Sequence, residues 1–199
     1  MKKGTKRTEA QKAATRSFKA KLVELRRELN TAWHEIKLRT RLWVQVPSRL
    51  WNGDITAIGR LYAVKIDSDG NRHDIGLIST KLVTTAGVAW LATLLAGTAT
   101  GNAKYHASGT GTTAENVSDT ALVTDSGVAR ATGSQTASTN TYTSVGTQTY
   151  ASTLAITEHG FFTAASGATL IDRSVFAAIN VVSGDSIQFT YVLTLPSGG

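Results

Sequence analysis

The chain has 199 residues, with 21 Lys and Arg, 14 Asp and Glu, 18 Gly, two Pro, no Cys and a formal net charge of +7. The lack of Cys excludes a disulfide scaffold, a Cys-ligated zinc site, an iron–sulfur cluster and a thiol nucleophile, and no apolar run approaches the roughly 20 residues that cross a bilayer. The charge is divided unevenly: residues 1–41 hold 13 Lys and Arg against four Glu, a net +9, whereas residues 42–199 hold eight against ten acids, a net −2.

The first seven residues include Lys2, Lys3, Lys6 and Arg7, but no apolar stretch follows them, so a secretory leader is not expected. Residues 8 to about 41 read as a long basic helix. Thr8 is a suitable N-cap with Gln11 three residues on, and Gly and Pro are absent from Thr5 to Val46. Phe18, Leu22, Leu25, Leu29, Ala32 and Ile36 recur at alternating steps of four and three, a narrow heptad seam. Such a seam packs against a domain or a neighbour, or pairs with itself as a short coiled coil. Lys19, Lys21, Arg26, Arg27, Lys37 and Arg39 keep the remaining surface positive.

Beyond this arm the pattern changes to strands. Leu42, Val44 and Val46 alternate up to Pro47. The runs Arg60 to Ile66 and Arg72 to Ile78 flank Asp67-Ser68-Asp69-Gly70-Asn71, a strong hairpin signal because Gly tolerates positive φ. The same stretch fails as a calcium loop, since Gly70 is fourth rather than sixth and Ile78 stands where Glu is required. Thr85 to Leu95, with Val88, Trp90, Leu91, Leu94 and Leu95, reads as one short buried helix stopped by Gly97.

Residues 97–153 include 22 Ser or Thr among 57, a composition that suits disorder. Yet Tyr105, Leu122, Val123, Val128, Tyr142, Val145 and Tyr150 recur at strand-like spacing, and Thr and Tyr favour strands. Three clearer strands follow: Leu154 to Ala164, Leu170 to Val181 and Ile187 to Leu195, separated by Ser166-Gly167 and Ser183-Gly184-Asp185 turns. The expected fold is therefore mainly β. It comprises an antiparallel β-sandwich or jelly-roll-like domain over residues 42–199, a long N-terminal basic α-helix over 1–41, and one short internal helix.

Chemistry-bearing patterns are sparse. His34, His73, His106 and His159 are far apart, with no metal-ligand spacing, so no metal and no cofactor is expected. Gly109-Thr110-Gly111-Thr112-Thr113 lacks the Lys and the third Gly of the nucleotide-binding fingerprints and reads as a surface loop. Glu158 and His159 are adjacent on a strand and so point to opposite faces, which favours a structural or subunit-contact role for the histidine over acid–base catalysis. Asn116-Val117-Ser118 fits a glycosylation sequon without other signs of secretion. An enzyme is not expected, nor a small-molecule substrate or a membrane.

Lys81-Leu82-Val83-Thr84-Thr85-Ala86-Gly87, Trp90-Leu91, Tyr105-His106 and Gly109 to Thr113 together resemble a recurrent pattern in virion proteins of tailed bacteriophages. So do Ile156 to Phe162, Asp172-Arg173-Ser174-Val175-Phe176 and Asn180 to Tyr191. The similarity spans roughly residues 60–196 and leaves the arm outside. It implies a virion protein assembled in the bacterial host cytoplasm, of a kind variously described as head decoration, cement or tail-fibre component. The first expectation is a trimeric cement or decoration protein whose partner is the major capsid protein or another virion protein. Its arm would reach across neighbouring subunits, with Lys2, Lys3, Lys6, Arg7, Lys12, Arg16, Lys19 and Arg26 meeting acidic side chains, while Phe18, Leu22, Leu25, Leu29 and Ile36 are buried. The alternative is a tail fibre or receptor-binding component anchored by the arm, with loops such as 97–120 or 132–148 touching the host. Nucleic acid is a disfavoured partner, because the arm has few aromatics and no helix-turn-helix companion.

Overall fold

The computed structural model describes residues 57–196. The arm, the strand expected at Leu42 to Val46, the boundary at 41/42 and all the partner-contact residues from Lys2 to Ile36 lie outside that range. The described part is mainly β, with nine strands in two antiparallel sheets and one helix. The strands are β1 (Ile58–Ile66), β2 (Arg72–Leu82), β3 (Tyr105–Gly109), β4 (Ala131–Thr132), β5 (Ser134–Ser138), β6 (Thr141–Thr149), β7 (Leu154–Phe162), β8 (Leu170–Val181) and β9 (Ser186–Thr194); the helix α1 is Thr85–Leu95. One sheet has the order β2-β1-β9-β6-β5 and the other β4-β3-β7-β8.

The hairpin between β1 and β2 forms where the Asp-Gly pair places it. Asp67 Oδ1 accepts from the backbone N–H groups of Asp69 and Asn71 at 3.0 and 2.8 Å, and Gly70 has φ +85°. β9 shows strict alternation: Ile187, Phe189, Tyr191 and Leu193 are buried, and the residues between them are partly exposed. Together with Leu61 and Ala63 of β1, and with Ile156, Phe161, Ile171, Ile179 and Val181 of the second sheet, they form one apolar core shared by both sheets. Each fully buried large side chain contributes about 1.5–3 kcal/mol.

α1 starts and stops as its residues dictate, and its cap also ties it to the second sheet. Thr84 Oγ1 accepts from Gly87 N at 2.9 Å and donates to the carbonyl of Leu170, while Thr84 N donates to the carbonyl of Ile171. Gly97, at φ +69°, closes the C-terminus. The helix is less buried than its apolar composition implies. Gly87 and Trp90 face inward, but Val88, Leu94 and Leu95 are 53%, 51% and 91% exposed. The 11 residues have one face toward β8, and apolar side chains extend well beyond that face.

The Ser/Thr-rich stretch is only partly strand. Tyr105, Tyr142 and Val145 lie in β3 and β6, and residues 132–148, expected as an exposed loop, are largely strands β5 and β6. Leu122, Val123 and Val128 instead belong to a long connection between β3 and β4. It meets the ladder at the bridge Gly109–Asp125, where Thr110 N donates to the Thr124 carbonyl and Ser126 N to the Ser108 carbonyl, and elsewhere its Val123 and Thr124 amides donate to the Glu158 side chain.

Candidate functional site

Many of the polar groups buried in this fold lie in two layers, one on each face of the sheet β4-β3-β7-β8. Antiparallel registers bring Ser108, His159 and Ser174 into one row, and His106, Phe161 and Asp172 into the next. These rows face the core. The interleaved rows, Gly109, Glu158 and Val175, then Ala107, Gly160 and Arg173, face outward. The opposite orientation of Glu158 and His159 expected from strand geometry is thus present, and both residues are fully buried.

The outward layer is an ion-pair network under the long connection. Arg173 Nε donates to Glu158 Oε2 at 2.8 Å and Arg173 Nη1 to Asp119 Oδ2 at 2.9 Å, while Nη2 donates to the carbonyl of Thr113. Glu158 also accepts from the backbone N–H groups of Gly111, Val123 and Thr124 at 3.0, 3.1 and 2.7 Å. Glu115 Oε1 accepts from Val175 N at 2.8 Å. A buried charge is tolerable only when paired and hydrogen-bonded, and here one carboxylate meets a guanidinium and three amides. The network holds residues 110–125 onto the sheet, with Leu122 packed against Phe162 and Leu170.

Gly109 and Gly111 belong to this layer, so the surface loop expected at Gly109 to Thr113 is corrected in part: Thr112 and Thr113 are exposed, but Gly109 ends β3 and both glycines are buried. The space a Cβ would need at Gly111 is taken by the Glu158 carboxylate, and at Gly109 by the Thr124 carbonyl and Glu158. Their role is to let a carboxylate approach the backbone. Asn116 of the sequon forms an Asx turn, its Oδ1 accepting from Ser118 N at 3.0 Å and from the Ser118 hydroxyl.

The core-facing layer gathers two of the four histidines. His106 Nδ1 lies 3.1 Å from His159 Nε2, and His106 Nε2 lies 3.0 Å from Ser144 Oγ on β6. The His106 ring fills the space beside Gly146 and Gly133, where a Cβ would clash with it. His159 lies against Phe189 with ring centroids 4.6 Å apart, and Phe161 stacks on Tyr191 at 4.3 Å. The two rings therefore join β3 and β7 of one sheet to β6 and β9 of the other. Burial holds His106 down to about 3. Burial, then the neighbouring His106, holds His159 well below the usual imidazole range. Both rings are neutral at pH 7.

Nearby, the Tyr150 hydroxyl donates to Ser108 Oγ at 3.0 Å, and burial pushes Tyr150 up to about 12. Among the described residues no group of three or more His, Cys, Asp or Glu could hold a metal ion, and no helix is long and apolar enough to cross a membrane. The spacing of His106 and His159 carries no sign of their meeting; only the β3–β7 register brings them together. Comparison with protein-family models, with curated proteins and with solved structures finds no match.

Proposed function

We propose that the chain is a structural protein of a tailed-phage virion, a cement or decoration protein that stabilises the head shell by contact with its subunits. The observation that carries a contact role is the outer face of α1. From Leu82 to Ala103 there is no charged residue, and Val88, Leu94 and Leu95 are exposed. A helix that is apolar around its circumference is normally covered, and concentrated exposed apolar residues mark protein contacts.

The residues of the virion-like pattern support the same reading. Gly87, Trp90, His106, Glu158, His159, Asp172 and Arg173 are buried in the body and bonded or packed within it. They are the framework of a β-body, for which a jelly-roll-like sandwich is the proposed class, supported by the core common to both sheets. In this proposal the basic arm supplies the tether and the body supplies a rigid block.

Copy number on purified particles tests the proposal. A cement protein is present in hundreds of copies, matching shell symmetry, whereas about a dozen or fewer would overturn it in favour of the tail. Deleting residues 1–41 abolishes shell binding, and Leu95→Lys with Val88→Lys weakens it without unfolding the body.

A further inference from the structure

His106 and His159 form a continuous hydrogen-bonded chain between the sheets that ends on Ser144. At its other end His159 Nδ1 is buried with no hydrogen-bond partner among the described residues. With His159 Nε2–H donating to His106 Nδ1, and His106 Nε2–H donating to Ser144 Oγ, the orphan atom is a lone pair rather than an N–H. That arrangement carries the smaller penalty. A proton added at His159 Nδ1 would create a buried imidazolium whose new N–H has no acceptor. A proton on His106 would place two donors face to face at the His106–His159 contact.

The surroundings offer the charge little compensation. On β9 the neighbours are Phe189 and Tyr191, and burial, with Asp172 next, holds the Tyr191 phenol well above its usual range. β6 contributes Ser144 and Tyr142, also neutral; β3 adds Ser108, bonded to Tyr150; β1 presents Leu61 and Ala63. On β7, Glu158 is on the far face and engaged by Arg173. The carboxylate on the same face is Asp172 of β8, diagonal to His159 in the register, and it accepts from Ser174 Oγ at 3.0 Å.

We propose that the His106–His159 pair is an acid-operated latch between the two sheets: with both rings neutral it closes the chain from β7 through β3 to β6, and protonation opens the body there. The unfolded chain binds protons on these rings below about pH 6.5, while the closed form refuses them. Opening therefore takes up two protons, and stability is lost as pH falls from about 6.5 toward 3, where His106 takes up its proton in the closed form. The carboxylates held low in the fold, Asp67 and Asp185, respond only in the lowest part of this window, below about pH 4.

Amide hydrogen exchange of the full chain, corrected for intrinsic rates and read on peptides from β3, β6, β7 and β9, tests the latch. The opening constant rises approaching about 100-fold per unit of falling pH, the dependence of a two-proton step. In His159→Phe, which keeps an aromatic ring beside Phe189 and removes one titrating group, the dependence falls to about tenfold per unit. An opening constant independent of pH across this window overturns the latch. A second readout on the wild-type chain decides if that variant does not fold. Isotope-labelled histidine resonances should show both rings neutral in the closed body at pH 5, and a ring that titrates in place near pH 6.5 overturns the proposal.

Discussion

Arg173 and Glu158 stand on neighbouring strands of one sheet, with Nε and Oε2 2.8 Å apart and both side chains out of reach of water. Neither residue is on the connection between β3 and β4, yet together they supply much of what holds it down. The carboxylate accepts from three amides of that connection, and the guanidinium reaches Asp119 and the Thr113 carbonyl within it. The ion pair replaces the apolar face that the connection, rich in Thr, Ser and Gly, does not have.

Breaking the pair is accordingly expected to be costly. Arg173→Met leaves Glu158 charged and buried without its cation and destabilises the body by about 3–5 kcal/mol, measured by urea unfolding. The double variant Arg173→Met with Glu158→Gln recovers part of that loss, because a neutral amide oxygen still accepts from the connection. Limited proteolysis cuts first within residues 110–125 in the single variant.

The glycines that admit Glu158 and α1 are expected to resist substitution. At Gly87 a Cβ would stand 2.6 Å from the Ile171 carbonyl oxygen and 2.7 Å from Val83 Cγ1. Gly87→Ala therefore destabilises by about 1–3 kcal/mol through overpacking, although Ala is the better helix former. Gly111→Ala has the same sign, because it displaces the Glu158 carboxylate. Thermal unfolding of the two variants checks both.

One turn is strained in the opposite sense. Thr139, between β5 and β6, has φ +52°, a conformation costly for a β-branched residue. Thr139→Gly produces a Gly-Asn pair suited to a two-residue hairpin and raises stability by about 0.5–1 kcal/mol. A lower unfolding midpoint in urea would contradict this.

The hairpin carboxylate Asp67 gives a second pH dependence, separate from that of the histidines. Bonds from the side chain and backbone of Asn71 hold it down to about 2. Its folded value is below its unfolded one, so its contribution is present above about pH 3.9 and fades as pH falls through 2. The difference in thermal midpoint between wild type and Asp67→Ala is therefore constant from pH 7 to 5 and shrinks toward zero near pH 2.

Local patterning was enough to read the strands and turns from Leu154 onward, the Asp-Gly hairpin and the limits of α1. Each depends on neighbours in sequence: a two-residue period, a Gly at positive φ, a Thr cap. The long connection is legible only in part, because Leu122, Val123 and Val128 look like strand residues. The Val123 amide, with that of Thr124, bonds to a carboxylate some 35 residues away, and the Val128 amide bonds to Ser126 Oγ, instead of to a ladder. Composition also overstates the burial of α1, since it says that a helix is apolar but not how many of its faces meet the sheet.

For the described residues the sequence by itself determined the class, mainly β with one short helix, and for the whole chain it determined the lack of thiol chemistry and the concentration of charge in residues 1–41. Only the tertiary structure decided which polar residues meet. Strand register is a long-range property, set when β3 pairs with β7 and β8 with β7, and a shift of one residue would exchange the two layers. That register puts His106 beside His159 in the core and Glu158 beside Arg173 on the outer face. Separations of 53 and 15 residues carry no local trace of either contact.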